Sequence, residues 1–338
     1  MVLLWMSVPL SLAQSRADVE ELIRTASRTL EKSIKETYQG RGTAKVLIHR
    51  EEIPSAEIAI NYDTGETTII KPRGTKIETT EQKFLIDFTF KGETSMAKRY
   101  GIKDNGERGG LLSATINTPE ISFHYDGKEN YAVQAPTESF QSYYRELGYD
   151  FHPETQIKFF PKASFQEIID GLIKYAREIN VTSTKEGLLQ IEFKGSKIEE
   201  SHASSFLLLN PQADFRPVEY KEEAEVFSRS GSGIEKTNYQ AKWKQYSLTW
   251  YITELKSEES YEWKSKPPTK YRVGVEVLNF DPDTEVEDSR FDFENLDIPK
   301  GTPVYDRIEN IEYKWGEEEK VDTGLLEGQT EKISVSQK

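Results

Sequence analysis

The chain has 338 residues, 36% of them hydrophobic and 30% charged, with a formal net charge of −14. That charge disfavours nucleic acid or an anionic bilayer surface as a partner, since both repel an acidic chain. Cysteine is absent, which excludes a disulfide scaffold, a thiol nucleophile, a cysteine metal site and a lipidated cysteine. The 17 Tyr, 16 Phe and 5 Trp set the chain apart from disordered sequences, which are poor in aromatics. A low apolar fraction suits strands that bury only one face.

Residues 2–13 read VLLWMSVPLSLA, too short a run to cross a bilayer. Small residues at Ser11 and Ala13 stand where a signal peptidase reads, so residues 1–13 are expected to be a secretory signal peptide. No Lys or Arg precedes the run. The alternative is a buried N-terminal strand or a short core helix. Export places the protein in the periplasm or outside the cell.

The period over 15–39 is helical. Val19, Leu22, Ile23, Ala26, Leu30, Ile34 and Tyr38 recur at spacings of three and four, with Ser15 and Asp18 at the start and Gly40 at the stop. After Gly42 the period becomes two. Val46 and Ile48 alternate with polar neighbours, as do Ile58, Ile60 and Tyr62 before a turn at Thr64-Gly65. In KFLIDFTF the residues Phe84, Ile86, Phe88 and Phe90 fall on one face, the mark of a half-buried strand. Asp126-Gly127 between ISFHY and NYAVQA predicts a hairpin.

A short helix is expected over 137–147 and a firmer one over 164–179. In the second, Ser164 is the N-cap, and Phe165, Ile168, Ile169, Leu172, Ile173, Ala176 and Ile179 form the stripe. Gly171 inside it costs about 1 kcal/mol against Ala, so the helix needs tertiary support. Strands resume at 188–194 and 204–209, turn at Asn210-Pro211-Gln212-Ala213-Asp214, and continue through 215–228. A second turn, SRSGSG, leads into a long polar and aromatic stretch over 236–263. One further strand is expected at 271–280. The chain from 317 to 338 is polar and is expected to be a disordered tail.

The expected architecture is mainly β with few helices. It is a large curved antiparallel sheet, an unclosed β-barrel, with helices covering its concave face. Such a sheet offers more apolar surface than two helices hide, which leaves a groove. Phe84, Ile86, Phe88 and Phe90 would form its wall, and Ile168 and Leu172 would face it from the helix side. The rival assignment for these residues is ordinary core packing.

No motif for chemistry is legible. His49, His124, His152 and His202 have no local metal spacing, and HExxH, GxGxxG, GxSxG and a phosphate loop are absent. Asp281, Asp283, Glu285, Glu287 and Asp288 make a carboxylate run, but Val286 stands where a calcium loop needs glycine. Neither a catalytic residue, nor a metal site, nor a cofactor is expected, and no segment beyond the N-terminus approaches transmembrane length.

One resemblance bears on these elements. The apolar start, then ADVEELIRTASRTLEKSIKETYQGRGTAKVLI, FHYDGKENYAV and SSFLLLNPQADFRPVEY, together resemble the periplasmic lipoprotein-carrier superfamily, the LolA/LolB-like and outer membrane lipoprotein-sorting proteins. The resemblance covers residues 15–262 and carries no diagnostic motif or functional residue. It implies an open-barrel domain over 14–262, which leaves 263–316 as a C-terminal extension that either continues the sheet or packs beside it. It also implies a non-enzymatic carrier that holds an apolar or acylated ligand between sheet and helices. Two other functions stand beside it: a structural or protein-interaction module of the cell envelope, and a hydrolase assembled from distant carboxylates and His.

Overall fold

A computed structural model describes residues 15–35, 39–52, 57–60, 67–71, 76–92, 94–136, 165–196, 203–228, 231–246, 249–263, 267–282, 285–317 and 320–321. The expected signal peptide, the helix over 137–147, Ser164, His152, His202 and most of the expected tail lie outside them. The helices are α1 (Arg16–Lys35) and α2 (Phe165–Tyr175). The first eight strands are β1 (Gln39–Glu52), β2 (Glu57–Ile60), β3 (Thr67–Lys71), β4 (Glu78–Lys91), β5 (Thr94–Ile102), β6 (Arg108–Asn117), β7 (Ile121–Asp126) and β8 (Tyr131–Pro136). After α2 come β9 (Ala176–Ser183), β10 (Leu189–Ser196), β11 (Ala203–Asn210), β12 (Arg216–Ser228), β13 (Gly231–Tyr246), β14 (Thr249–Trp263) and β15 (Thr269–Asp281). The last three are β16 (Pro303–Asp306), β17 (Ile311–Lys314) and β18 (Lys320–Val321), the last within the stretch expected to be tail.

The protein is mainly β with few helices, as expected, but the sheet is neither closed nor strongly curled. Sixteen strands take the order β18-β17-β16-β8-β7-β6-β5-β4-β1-β15-β14-β13-β12-β11-β10-β9, and the end strands do not pair with each other. This corrects the expected curved, barrel-like sheet. A barrel interior needs a face whose inward side chains fill it layer by layer. Here polar rungs such as Ser205–Glu222–Thr237–Glu259 interrupt that face. The sheet is not wholly antiparallel either, since β16 runs parallel to β8. Of the extension, β15 joins the sheet between β1 and β14, and β16 and β17 extend it beyond β8. The hairpin of β2 and β3 forms a sheet of its own.

The chain divides into two units, and β1, β4 and β15 each contribute a segment to both. In the first unit α1 starts with a reciprocal cap. Ser15 Oγ donates to Asp18 Oδ2 at 2.7 Å, and the Asp18 N–H donates to Ser15 Oγ at 3.3 Å. The stripes of both helices meet the sheet at Ile23, Ala26, Ile169, Ile191, Leu207 and Leu209, all with no exposed surface. Each large apolar side chain so buried is worth about 1.5–3 kcal/mol.

Helix α2 is shorter than its apolar stripe. It stops at Tyr175, and Ala176 and Ile179 belong to β9, where Ile179 pairs with Phe193. The sequence INVTS favours strand through its β-branched residues. Arg16 of α1 meets the helix end, donating to the carbonyls of Ala176 at 3.0 Å and Arg177 at 2.8 Å. A cation there suits the negative end of the helix dipole.

In the second unit, Ile116, Phe123, Ala132, Leu296 and Val304 form the centre of a core with almost no exposure. Phe293 and Trp315 pack their rings on Phe123 at 4.9 and 5.3 Å. The hairpin expected at Asp126-Gly127 forms, with Asp126 Oδ1 accepting from the Lys128 N–H at 2.8 Å. Nearby, Phe280 stacks on Phe88 and Phe90 with centroids 6.0 and 6.3 Å apart. Gly42 allows this approach, because a Cβ there would lie 2.4 Å from the Asn279 carbonyl oxygen and 2.7 Å from Phe88.

Gly42→Ala is therefore expected to destabilise the protein by about 1–3 kcal/mol, since backbone must shift. Ile191→Ala should lose about 2–5 kcal/mol through the cavity it leaves. Urea unfolding of each variant against the parent checks both values.

Candidate functional site

The six residues expected to line a groove divide between the units. Phe84, Ile86, Phe88 and Phe90 belong to the second unit and are at most 3% exposed. Arg99 lies over the Phe84 ring at 3.9 Å, and Phe280 occupies the face of Phe88 and Phe90. Ile168 and Leu172 belong to the first unit, half-buried against its helix–sheet core.

The first unit offers a different candidate, which the registers build strand by strand. Residues opposite one another in a sheet share a face, and successive residues alternate faces. One rung runs Val181, Ile191, Leu207, Tyr220, Tyr239, Ser257, Val273. Ile191, Leu207, Tyr220 and Tyr239 pack in the helix cluster, so this is the helix side. The adjacent rung, Asn180, Glu192, Phe206, Lys221, Asn238, Glu258, Arg272, points to the far side.

On the helix side the apolar zone ends in a belt of tyrosines and glutamates. Tyr220 donates to Glu222 at 2.6 Å, Tyr239 to Glu259 at 2.9 Å and Tyr261 to Glu235 at 2.7 Å. Burial, reinforced by the carboxylates, pushes all three hydroxyls well above the usual phenol range. The hydroxyls are thereby held as hydrogen-bond donors to the glutamates. Arg216 sits at the other margin with no exposed surface, its guanidinium 5.0 Å from the Trp243 ring. One nitrogen donates to Ser33 Oγ at 3.1 Å, and that hydroxyl donates to Asp214 at 2.9 Å. Burial lowers Arg216 to about 10, which leaves it a cation near neutral pH.

The far side carries two adjoining hollows. One, of about 580 Å³, is lined by Phe206, Lys221, Lys236, Asn238, Glu258 and Ser260 among others. The other, of about 470 Å³, is lined by Leu47, His49, Glu81, Lys256 and Arg272, and shares Asn238 and Glu258 with the first. Both volumes fall in the range of ligand sites. The charges here are paired within the face: Arg272 to Glu258 at 2.6 Å, Lys221 to Glu219 at 2.9 Å, Lys236 to Glu262 at 3.0 Å and Lys194 to Glu192 at 2.8 Å. The hydrogen bond from Arg272 holds Glu258 below the usual carboxylate range. Asn238 Oδ1 is buried and has no hydrogen-bond partner among the described residues.

His49 in the first unit bonds Glu51 at 2.8 Å, and His124 in the second bonds Thr115 Oγ1 at 3.1 Å. Within the carboxylate run, Asp281 pairs with Arg41 and Asp288 with Lys91, while Val286 is buried. No group of three or more His, Asp or Glu placed to hold a metal occurs among the described residues. No helix among them is long and apolar enough to cross a membrane. The far-side rung was missed at the level of sequence, although Lys236, Asn238 and Gln240 alternate as plainly as the apolar strands do.

No family model and no curated protein matches the chain. Among solved structures, an uncharacterized conserved protein from Thermus thermophilus aligns over 83% of this chain and 99% of its own, at 9% identity and a TM-score of 0.29. At that level of similarity it says nothing of function.

His124 sets a pH dependence. Burial lowers it from 6.5 to about 4, so the unfolded chain binds the proton more readily than the folded one between those values. Its contribution to stability should be flat above pH 6.5 and fall as pH drops toward 4, by roughly 3 kcal/mol at about 1.4 kcal/mol per unit. Urea midpoints measured from pH 7 to pH 4 should show this slope in the parent and a shallower one in His124→Gln.

Proposed function

We propose that the chain is a non-enzymatic module of the cell envelope that engages a partner on the far side of its long-stranded sheet. One observation carries this reading. The apolar stripes of α1 and α2 and the apolar positions beneath them are spent on each other, whereas the hollows of ligand size lie on the opposite face. A carrier for an acyl chain needs apolar wall left uncovered, about 0.8 kcal/mol of shielding for every methylene held. The helix stripes supply little of it, with Ile23, Ala26 and Ile169 wholly buried. The far side instead offers paired charges, amides and hydroxyls around its hollows, groups that a polar partner can bond to.

The envelope assignment rests on the apolar N-terminal run that reads as an export signal. A hydrolase reading gains no support from the geometry. The buried tyrosines are held protonated, and the carboxylates near them accept hydrogen bonds from tyrosine or pair with cations.

A photo-crosslinking residue placed at Lys221 should trap an envelope component in living cells, and one placed at Lys128 in the other unit should not. Equal trapping at both positions would sink the proposal. So would native mass spectra showing the purified protein loaded with lipid, since that load would restore the carrier.

A further inference from the structure

We infer that the far-side groove takes a neutral, polyhydroxylated chain, a glycan strand lying across the β-strands; this rests on the proposal that the far side is the binding face. Four features of the groove point to that chemistry.

The first is direction. The two hollows meet at Asn238 and Glu258 and together cross eight consecutive strands, from β10 to β4. At about 4.8 Å between strands, that is a track of about 34 Å. It suits an extended polymer better than a compact metabolite.

The second is charge. Five cationic and four carboxylate side chains on this face line the hollows, in a chain whose net charge is −14. Most of the cations are held by a carboxylate on a neighbouring position or strand. An anionic or cationic polymer would have to break these pairs and would gain no field in return. A neutral ligand leaves them intact and can bond to their remaining lone pairs and protons.

The third is Asn238. Its Oδ1 is an acceptor withdrawn from solvent with no donor among the described residues, at the point where the hollows join. A buried acceptor left unmatched is unfavourable. With Oδ1 closed to solvent, it is the rest of the Asn238 amide, lining both hollows, that a ligand rich in hydroxyl groups would meet. The flanking Ser204, Ser260 and Gln240 each both donate and accept, as hydroxyl recognition requires.

The fourth is Phe206, next but one to Asn238 on the same rung. Its half-buried ring lines the groove with Lys221 Nζ over it, 5.4 Å from the ring centroid, so a ligand would share that ring with the lysine stem. A flat apolar ring between polar groups fits the mixed surface of a sugar, which carries apolar C–H faces and a polar rim. The same ring is too small an apolar area to hold a lipid or to anchor a protein interface, whose centres carry several such side chains.

Calorimetric titration of the full chain tests this with two probes, the β-1,4-linked hexamers of glucose and of N-acetylglucosamine. At least one should bind saturably and stay bound in about 1 M salt, where the screening length is only about 3 Å. Phe206→Ala and Asn238→Ala should each weaken it about tenfold, with melting temperature unchanged and with Lys128→Ala as the unaffected control. Binding that Phe206→Ala and Asn238→Ala leave intact would overturn the inference. So would the failure of both hexamers while a Lys221 crosslinker still traps a protein, which would spare the binding face and remove the glycan. Failure of hexamers and crosslinker together would remove both.

Discussion

Two helices cannot hide a wide sheet, and the remaining organisation of the first unit depends on where their cover runs out. α1 and α2 offer 20 and 11 residues, about 30 and 16 Å of helix. Beneath them the strands place Ile191, Leu207 and Leu209 with no exposure. Two positions further along the same strands, on the same face, the rung turns to Ser205, Glu222, Thr237 and Glu259. Tyr220 and Tyr239 stand at the boundary, with rings in the core and hydroxyls on the glutamates. A tyrosine suits such a boundary because it is apolar along its body and polar at its tip.

The far side obeys the same constraint with the opposite result. No described helix packs there, so its residues must tolerate water, and they do so as cross-strand ion pairs and amides. Exposed pairs of this kind add little stability each. Their effect is to keep a broad sheet surface from being apolar, which would invite aggregation. What they leave is a patterned polar groove. The binding reading follows from one property of the long strands: neither of their faces is apolar along its whole length.

The second unit solves its covering problem differently. Short 3-10 turns at Asp288–Phe291 and Phe293–Leu296, together with β16 and β17, bring Phe293, Leu296 and Trp315 over Phe123 and its neighbours. The segment after β15 acts as the missing lid. It is a lid of aromatic side chains on turns, and nothing in its local pattern resembles an amphipathic helix.

Sequence alone determined whatever depends on neighbours in the chain. The Ser15–Asp18 cap, the helical stripe of α1, the hairpin at Asp126-Gly127, the turn at Asn210–Asp214 and the period of two in Phe84–Phe90 are all local. Backbone geometry and nearby side chains settle them without help. Tertiary structure decided the rest. Helix α2 ends at Tyr175 because β10 pairs with the residues beyond it and Arg16 takes up their carbonyls, though the apolar spacing runs on to Ile179. β16 reaches β8 in parallel across a long stretch of chain, and Phe206, Lys221, Asn238 and Glu258 become one rung only through register. Pairing partners far apart in sequence cost chain entropy to bring together and leave no periodic trace in any single segment. A strand's pattern declares that it has two faces, and only its neighbours decide what each face will meet.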